Sequence, residues 1–282
     1  MTVYRARTIA EGLAFPEAPR WHAGRLWLTD QHARAVLAMD STGRLETIAA
    51  TDDLPGGLGW LPDGRLLVVL MTRRQVAQLS GRELLAYADL SDQASFHCND
   101  MVVDTAGHAY VGNFGFDLHG GEATRPAEVI RLDADGAATV FADGVVFPNG
   151  SVITPPGDTL LLAETFGHRI SAFGLDAHGR MTSRQTWADL GAHTPDGICL
   201  DAEGALWVAS PGTRTLIRVR RGGAILDSCD TQGTPYACML GGEDRRTLYV
   251  CTSETDDPRE AARRRSGRIE QVEVPVPGAG LP

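Results

Sequence analysis

Short apolar runs alternate with turns rich in Asp and Gly from one end of the chain to the other. Six segments share one phrase, an apolar or alternating stretch, a turn carrying Gly, Asp or Pro, and a second apolar stretch. They read PRWHAGRLWLTD, GWLPDGRLLVVL, MVVDTAGHAYVG, SVITPPGDTLLLAE, ICLDAEGALWVA and CMLGGEDRRTLYVC. Turn residues of these types supply the dihedral angles that a strand reversal needs, so each phrase predicts a β-hairpin. The copies lie roughly 40–50 residues apart, the period of a four-stranded propeller blade. Second hairpins fall between them, as AVLAMDSTGRLETIA, EVIRLDADGAATVFA, RISAFGLDAHGRMTSRQTWA and TLIRVRRGGAILDS. The pattern predicts an all-β chain folded as a six-bladed β-propeller, with four-stranded antiparallel blades around a central channel, in one domain spanning residues 1–282. The competing reading is a β-sandwich of ordinary hairpins, which six regularly spaced copies disfavour.

Helical periodicity is nearly absent. The exception is residues 256–268, DDPREAARRRSGR, whose charge density predicts an exposed loop or short helix inside the last blade. The opening strand near Val3–Ala10 is expected to pair beside Arg268–Val274 and close the ring, removing unpaired sheet edges.

Propeller geometry turns the repeats into a search for a site, because the innermost strand of every blade lines the same channel. Aligning the hairpins on the first residue of their second strand (Leu26, Leu66, Ala109, Leu160, Leu206) and counting back nine to eleven residues gives Glu17, Gly56, Asn99, Asn149 and Asp196. Four of these five carry oxygen-bearing side chains. Two carboxylates and two amides brought to one channel mouth repel or go unsatisfied unless a cation joins them. Oxygen-only ligands favour a hard divalent ion. Singly, each residue has a plainer explanation: Pro-Asn-Gly (148–150) and Pro-Asp-Gly (195–197) are common turn tripeptides, and Glu17 before Pro19 suits a surface position. Asp30, Asp40, Asp104 and Asp201 sit where carboxylates usually cap backbone amides.

Charge and composition narrow the partners. The chain has 26 Lys+Arg against 36 Asp+Glu, a formal net charge of −10, which repels nucleic-acid phosphates and anionic membranes. It is 43% hydrophobic with 32 Gly and 15 Pro, as suits a buried core with many tight turns. The N-terminus lacks a signal-like apolar run and no stretch reaches membrane-spanning length, so a cytoplasmic location is expected. Five cysteines without CxxC spacing predict buried, reduced thiols rather than disulfides or a zinc site. No GxGxxG, P-loop, GxSxG or HExxH motif is present.

Phe-Pro-Glu-Ala-Pro-Arg-Trp (15–21), Asn99-Asp100 with Val103-Asp104, Phe-Pro-Asn-Gly (147–150), Ala-Glu-Thr-Phe-Gly-His-Arg-Ile (163–170) and Pro-Asp-Gly-Ile (195–198) stand in an order that resembles the senescence-marker-protein/gluconolactonase/luciferin-regenerating family. The resemblance implies a six-bladed propeller with one catalytic divalent metal ion, calcium foremost, with magnesium, manganese, zinc or iron as further candidates. It implies Glu17, Asn149 and Asp196 as metal ligands, Asp196 also as the catalytic proton-transfer group, and Asn99 as a substrate-binding residue. Lactonases of the family often carry an Arg two residues before the position of Asn99. Here that residue is His97, with shorter reach and fewer donors, so the substrate is expected to be a sugar lactone or a less polar cyclic ester. His97 itself has two readings, a rim residue touching substrate or an imidazole bonded to a nearby carbonyl. Phe15, Phe114, Phe116, Phe147, Phe166 and His168 are placed by their positions either at the same mouth or in packing between blades.

The expected reaction is metal-assisted hydrolysis of a small-molecule lactone or ester, without nucleic acid or membrane, and a homo-oligomer is compatible with it. A metal-dependent phosphotriesterase or arylesterase would use the same residues. A non-catalytic propeller binding module with a structural metal is the alternative from another class.

Overall fold

The computed structural model describes all 282 residues. Six antiparallel sheets follow one another along the chain. From the channel outward, blade 1 is Pro16–His22, Arg25–Asp30, Ala35–Met39 and Leu45–Ala50. Blade 2 is Pro55–Trp60, Leu66–Leu70, Gln75–Ser80 and Glu83–Asp89. Blade 3 is Cys98–Val103, Ala109–Asn113, Ala127–Leu132 and Ala138–Val145. Blade 4 is Pro148–Ile153, Thr159–Glu164, Arg169–Leu175 and Met181–Asp189. Blade 5 is Ile198–Leu200, Leu206–Ser210, Thr215–Val219 and Ile225–Asp230. Blade 6 is Thr234–Gly241, Thr247–Ser253 and Gly267–Glu273, completed by Arg7–Leu13.

The six inner strands each touch the next, and the sixth touches the first, which closes the channel. The six-bladed architecture read from the repeats is therefore the observed one. Closure differs in detail from expectation. The strand that pairs antiparallel with Gly267–Glu273 is Arg7–Leu13, while Val3–Arg5 leaves that blade and runs parallel to Ile225–Asp230 as a fifth strand of blade 5. The chain changes partner at Ala6, whose N–H donates to the carbonyl of Asp230 at 2.9 Å. One opening segment thus ties two blades together and covers two edges.

The hairpin turns are held by their aspartates. Asp40, Asp104 and Asp201 each accept from two backbone amides of the following turn, and Asp30 accepts from Ala14 and Phe15 at 3.0 and 2.8 Å. Their capping role holds, which removes them from the list of catalytic carboxylates. Residues 256–268 contain a short helix, Pro258–Arg264, started by Asp257, whose carboxylate accepts from the amides of Arg259 and Glu260. All five cysteines are buried and free. No helix is long and apolar enough to cross a membrane.

Candidate active site

The first residues of the second strands used for alignment do occupy one register. Leu26, Leu66, Ala109, Leu160 and Leu206 pair with Trp21, Trp60, Val103, Ile153 and Leu200, each at the turn end of its inner hairpin. Toward the other end, five inner strands are irregular at the ring position. The register shifts between Glu17 and Arg20, Pro55 and Leu58, Cys98 and Met101, Pro148 and Ser151, and Pro235 and Ala237. Bulges re-aim side chains, and here they fall where a side chain must turn into the channel mouth.

Glu17, Asn99, Asn149 and Asp196 all line one cavity of about 110 Å³. That volume is of the order of the ~150 Å³ cavity that takes a benzene ring. The Asn-Gly and Asp-Gly pairs are not turns. Gly150 lies in the inner strand of blade 4, where a Cβ would stand 2.6 Å from the carbonyl oxygen of Asp196. Glycine is required there because blades 4 and 5 approach so closely, and that approach sets Asn149 beside Asp196.

Two features of the ring lay outside the sequence reading. Blade 2 contributes no side chain because a Cβ on Gly56 would meet the carbonyl oxygen of Asn99 at 2.6 Å. Blade 6 contributes Tyr236, which lines the cavity and packs edge-on against Phe15 at 4.7 Å. The available signal was the proline before the ring residue in five repeats, at Pro16, Pro55, Pro148, Pro195 and Pro235.

Hydrogen bonds orient the amides. Asn149 Nδ2 donates to the Thr165 hydroxyl at 3.2 Å, and that hydroxyl donates to the Pro195 carbonyl at 2.8 Å. With its nitrogen so engaged, Asn149 keeps Oδ1 for another partner. Asn99 Nδ2 donates to the Pro148 carbonyl at 3.2 Å, with the same consequence. Glu17 Oε2 accepts from Ala18 N–H at 2.9 Å. Ala18 (φ 47°) and Phe147 (φ 59°), beside two ring residues, both hold left-handed backbone, and such strain tends to collect at functional sites.

Beneath the ring, Arg20 and Asp100 form a buried ion pair at 2.5 Å, and Arg20 also donates to the carbonyls of Leu58 and Met101. This cation stitches blades 1, 2 and 3 and is already saturated. The carboxylates above it face each other with little compensation. Burial, aided by the charge of Asp100, pushes Glu17 up to about 8. Burial, then the charges of Glu17 and Asp100, raises Asp196 well above the usual carboxylate range. Two carboxylates and two oriented amide oxygens form a hard-oxygen donor set that fits one divalent cation and would satisfy this repulsion. Nowhere in the chain do three or more His, Cys, Asp or Glu side chains cluster to hold an ion. The amide oxygens are therefore essential to any metal site here.

His97 lies on the cavity wall with its ring stacked on Phe96 at 4.1 Å. Burial lowers its pKa, so the ring is neutral at pH 7. Phe15, Phe114 and Phe147 line the cavity, whereas Phe116 and Phe166 back Phe147 at 5.7 and 4.9 Å. His168 is turned away from the cavity, with Nδ1 2.9 Å from the His193 carbonyl.

A family model described as "SMP-30/Gluconolactonase/LRE-like region" matches residues 15–254. A 6-deoxy-6-sulfogluconolactonase of Pseudomonas putida is 28% identical over 250 residues, covering 85% of this chain and 83% of its own. A regucalcin of Gallus gallus is 25% identical over 264 residues, covering 86% of each. Among solved structures, a calcium-binding regucalcin from Agrobacterium tumefaciens aligns with a TM-score of 0.82 at 20% identity, over 100% of this chain and 98% of that one. A gluconolactonase from Xanthomonas campestris aligns with a TM-score of 0.75 at 23% identity, over 98% and 90%. At these identities the structural likeness speaks for the fold, while the family match covers the ring from Glu17 to Asp196 and the strands that carry it. The chain belongs to the SMP-30/gluconolactonase/LRE-like family.

Proposed function

We propose that this protein is a divalent-metal-dependent hydrolase that opens a lactone, a sugar lactone or a less polar cyclic ester, at the channel mouth. The observation that carries the reading is the convergence of Glu17, Asn149 and Asp196, with Asn99, in one solvent-reaching cavity beneath an aromatic wall. The relatives named for lactonase activity favour the same class of reaction.

Glu17, Asn149 and Asp196 would hold the ion, with calcium the first candidate given the oxygen donors. When bound, the ion supplies Lewis-acid polarisation of the ester carbonyl and charge to offset the oxyanion. The remaining chemistry belongs to the chain. Asp196 accepts a proton from water as the water oxygen bonds to the carbonyl carbon; burial raises its basicity in the metal-free chain, and an ion held by the same carboxylate would offset that rise. The ring C–O bond then breaks and the departing ring oxygen takes that proton, giving an open hydroxy acid. Asn99 and His97 stand on the wall where they would orient the lactone. Burial raises the Tyr236 phenol pKa, so it stays protonated and offers an O–H donor beside the carboxylates.

The test is a lactone panel followed with a pH indicator, run on chelator-stripped protein resupplied with Ca²⁺, Mg²⁺, Mn²⁺ or Zn²⁺ singly. Turnover is expected to vanish on stripping, return with one ion, and be lost in Asp196→Asn while the melting curve stays cooperative. Full lactone turnover by Asp196→Asn would overturn the assignment. Turnover of phosphotriesters in place of lactones would move it to the rival hydrolase class.

A further inference from the structure

The charge balance of the cavity has a consequence for what it admits. The chain has no lysine, and none of its 26 arginines lines the cavity. The arginines whose charge reaches its walls are committed elsewhere. Arg20 is held by Asp100 and backbone carbonyls, Arg74 donates to the carbonyls of Ser91 and Ala94 at 3.1 and 3.0 Å, and Arg214 leans on Glu254 at 3.9 Å. A divalent ion would be cancelled by Glu17 and Asp196, which leaves the rim carboxylate of Asp256 as an unbalanced negative charge. The only ionisable nitrogen groups in the lining are the imidazoles of His32, His97 and His119, none of them a permanent cation. Much of the wall is apolar, formed by Phe15, Leu54, Met71, Phe114, Leu118 and Phe147, with Gln31 and Tyr236 among its polar groups. Phe114 and Phe147 pack at 4.6 Å as one continuous aromatic surface.

Accepting the lactone-hydrolase reading, we infer that the substrate is an uncharged lactone with an apolar, ring-bearing or alkyl body, and that lactones carrying a phosphate, sulfonate or carboxylate are excluded. An anionic substituent would lose its hydration without gaining a cationic partner. A fully hydroxylated ring would leave those of its hydroxyls that face Phe114, Phe147 and Met71 without a partner. A flat apolar ring would stack on Phe114 and Phe147 and gain from every carbon it buries.

The experiment compares kcat/KM for dihydrocoumarin, glucono-1,5-lactone and 6-phosphoglucono-1,5-lactone with protein carrying its most activating ion. Dihydrocoumarin is expected to exceed the neutral sugar lactone at least tenfold, with the phosphorylated lactone slowest. Leu118→Arg, on the exposed loop at the rim, is expected to raise kcat/KM for the phosphorylated lactone at least tenfold. Equal or better turnover of either sugar lactone by the native chain would overturn the inference and leave lactone hydrolysis standing. If no lactone is opened, the hydrolase reading fails, and binding decides the inference. Calorimetric titration with the unreactive lactam analogue of dihydrocoumarin, set against gluconolactam, is expected to give at least tenfold tighter binding of the former. Equal binding, or binding of neither, would overturn it.

Discussion

Replacing Thr165 by valine removes one hydroxyl and keeps the shape of the side chain. In the structure that hydroxyl accepts from Asn149 Nδ2 at 3.2 Å and donates to the Pro195 carbonyl at 2.8 Å, with Thr165 itself only 6% exposed. Two buried hydrogen bonds at about 1 kcal/mol each give a stability loss of about 2 kcal/mol. The second effect is on the ion. Asn149 would be free to rotate its amide, and loss of a residue that orients a ligand typically weakens metal affinity by about 10–100-fold. Calcium titration calorimetry gives the affinity, and urea unfolding in excess chelator gives the metal-free stability. Thr165→Ser keeps the hydroxyl and should restore much of both. If Thr165→Val loses stability yet binds calcium with native affinity, the hydroxyl is only a structural tie between blades 4 and 5, and the role of Thr165 in orienting Asn149 is refuted.

Three further outcomes follow from the same geometry. Gly56→Ala forces a Cβ to within 2.6 Å of the Asn99 carbonyl oxygen, so it should cost about 1–3 kcal/mol in chemical unfolding and raise KM by displacing Asn99. Arg20→Met leaves Asp100 buried without its partner and should destabilise by about 3–5 kcal/mol, much of it recovered when Asp100→Leu is added. His22, stacked on Trp60 at 4.0 Å, has its pKa lowered by burial. The unfolded chain therefore takes up the proton first as pH falls below about 6.5, and the folded state loses stability in that window. His22→Phe lacks this loss, so the melting temperature of the variant relative to the native chain should rise between pH 7 and pH 5. A constant difference would contradict the shift.

Much of the architecture was legible because propeller blades are built from local hairpins whose turns need Asp and Gly at fixed offsets. The ring was legible for the same reason, since equal register along inner strands means convergence at the axis. Tyr236 escaped because it lies twelve residues before Leu248, outside the nine to eleven of the other blades, and because a phenol was not among the oxygen donors sought. Thr165 escaped because its partners, Asn149 and Pro195, lie 16 and 30 residues away in sequence. The double allegiance of the opening segment was also hidden. A three-residue strand such as Val3–Arg5 carries no pattern that distinguishes a parallel partner from an antiparallel one. The glycines of Pro-Asn-Gly and Pro-Asp-Gly look like turn residues in sequence, and only the approach of neighbouring inner strands reveals their use.

The most direct measurement of the central claim is anomalous scattering from crystals equilibrated with Mn²⁺. One peak is expected at the channel mouth, within ~2.0–2.6 Å of oxygens of Glu17, Asn149 and Asp196, and it should be lost in Asp196→Asn. A channel mouth without a peak in the native protein, or a peak that survives that substitution unchanged, would contradict it.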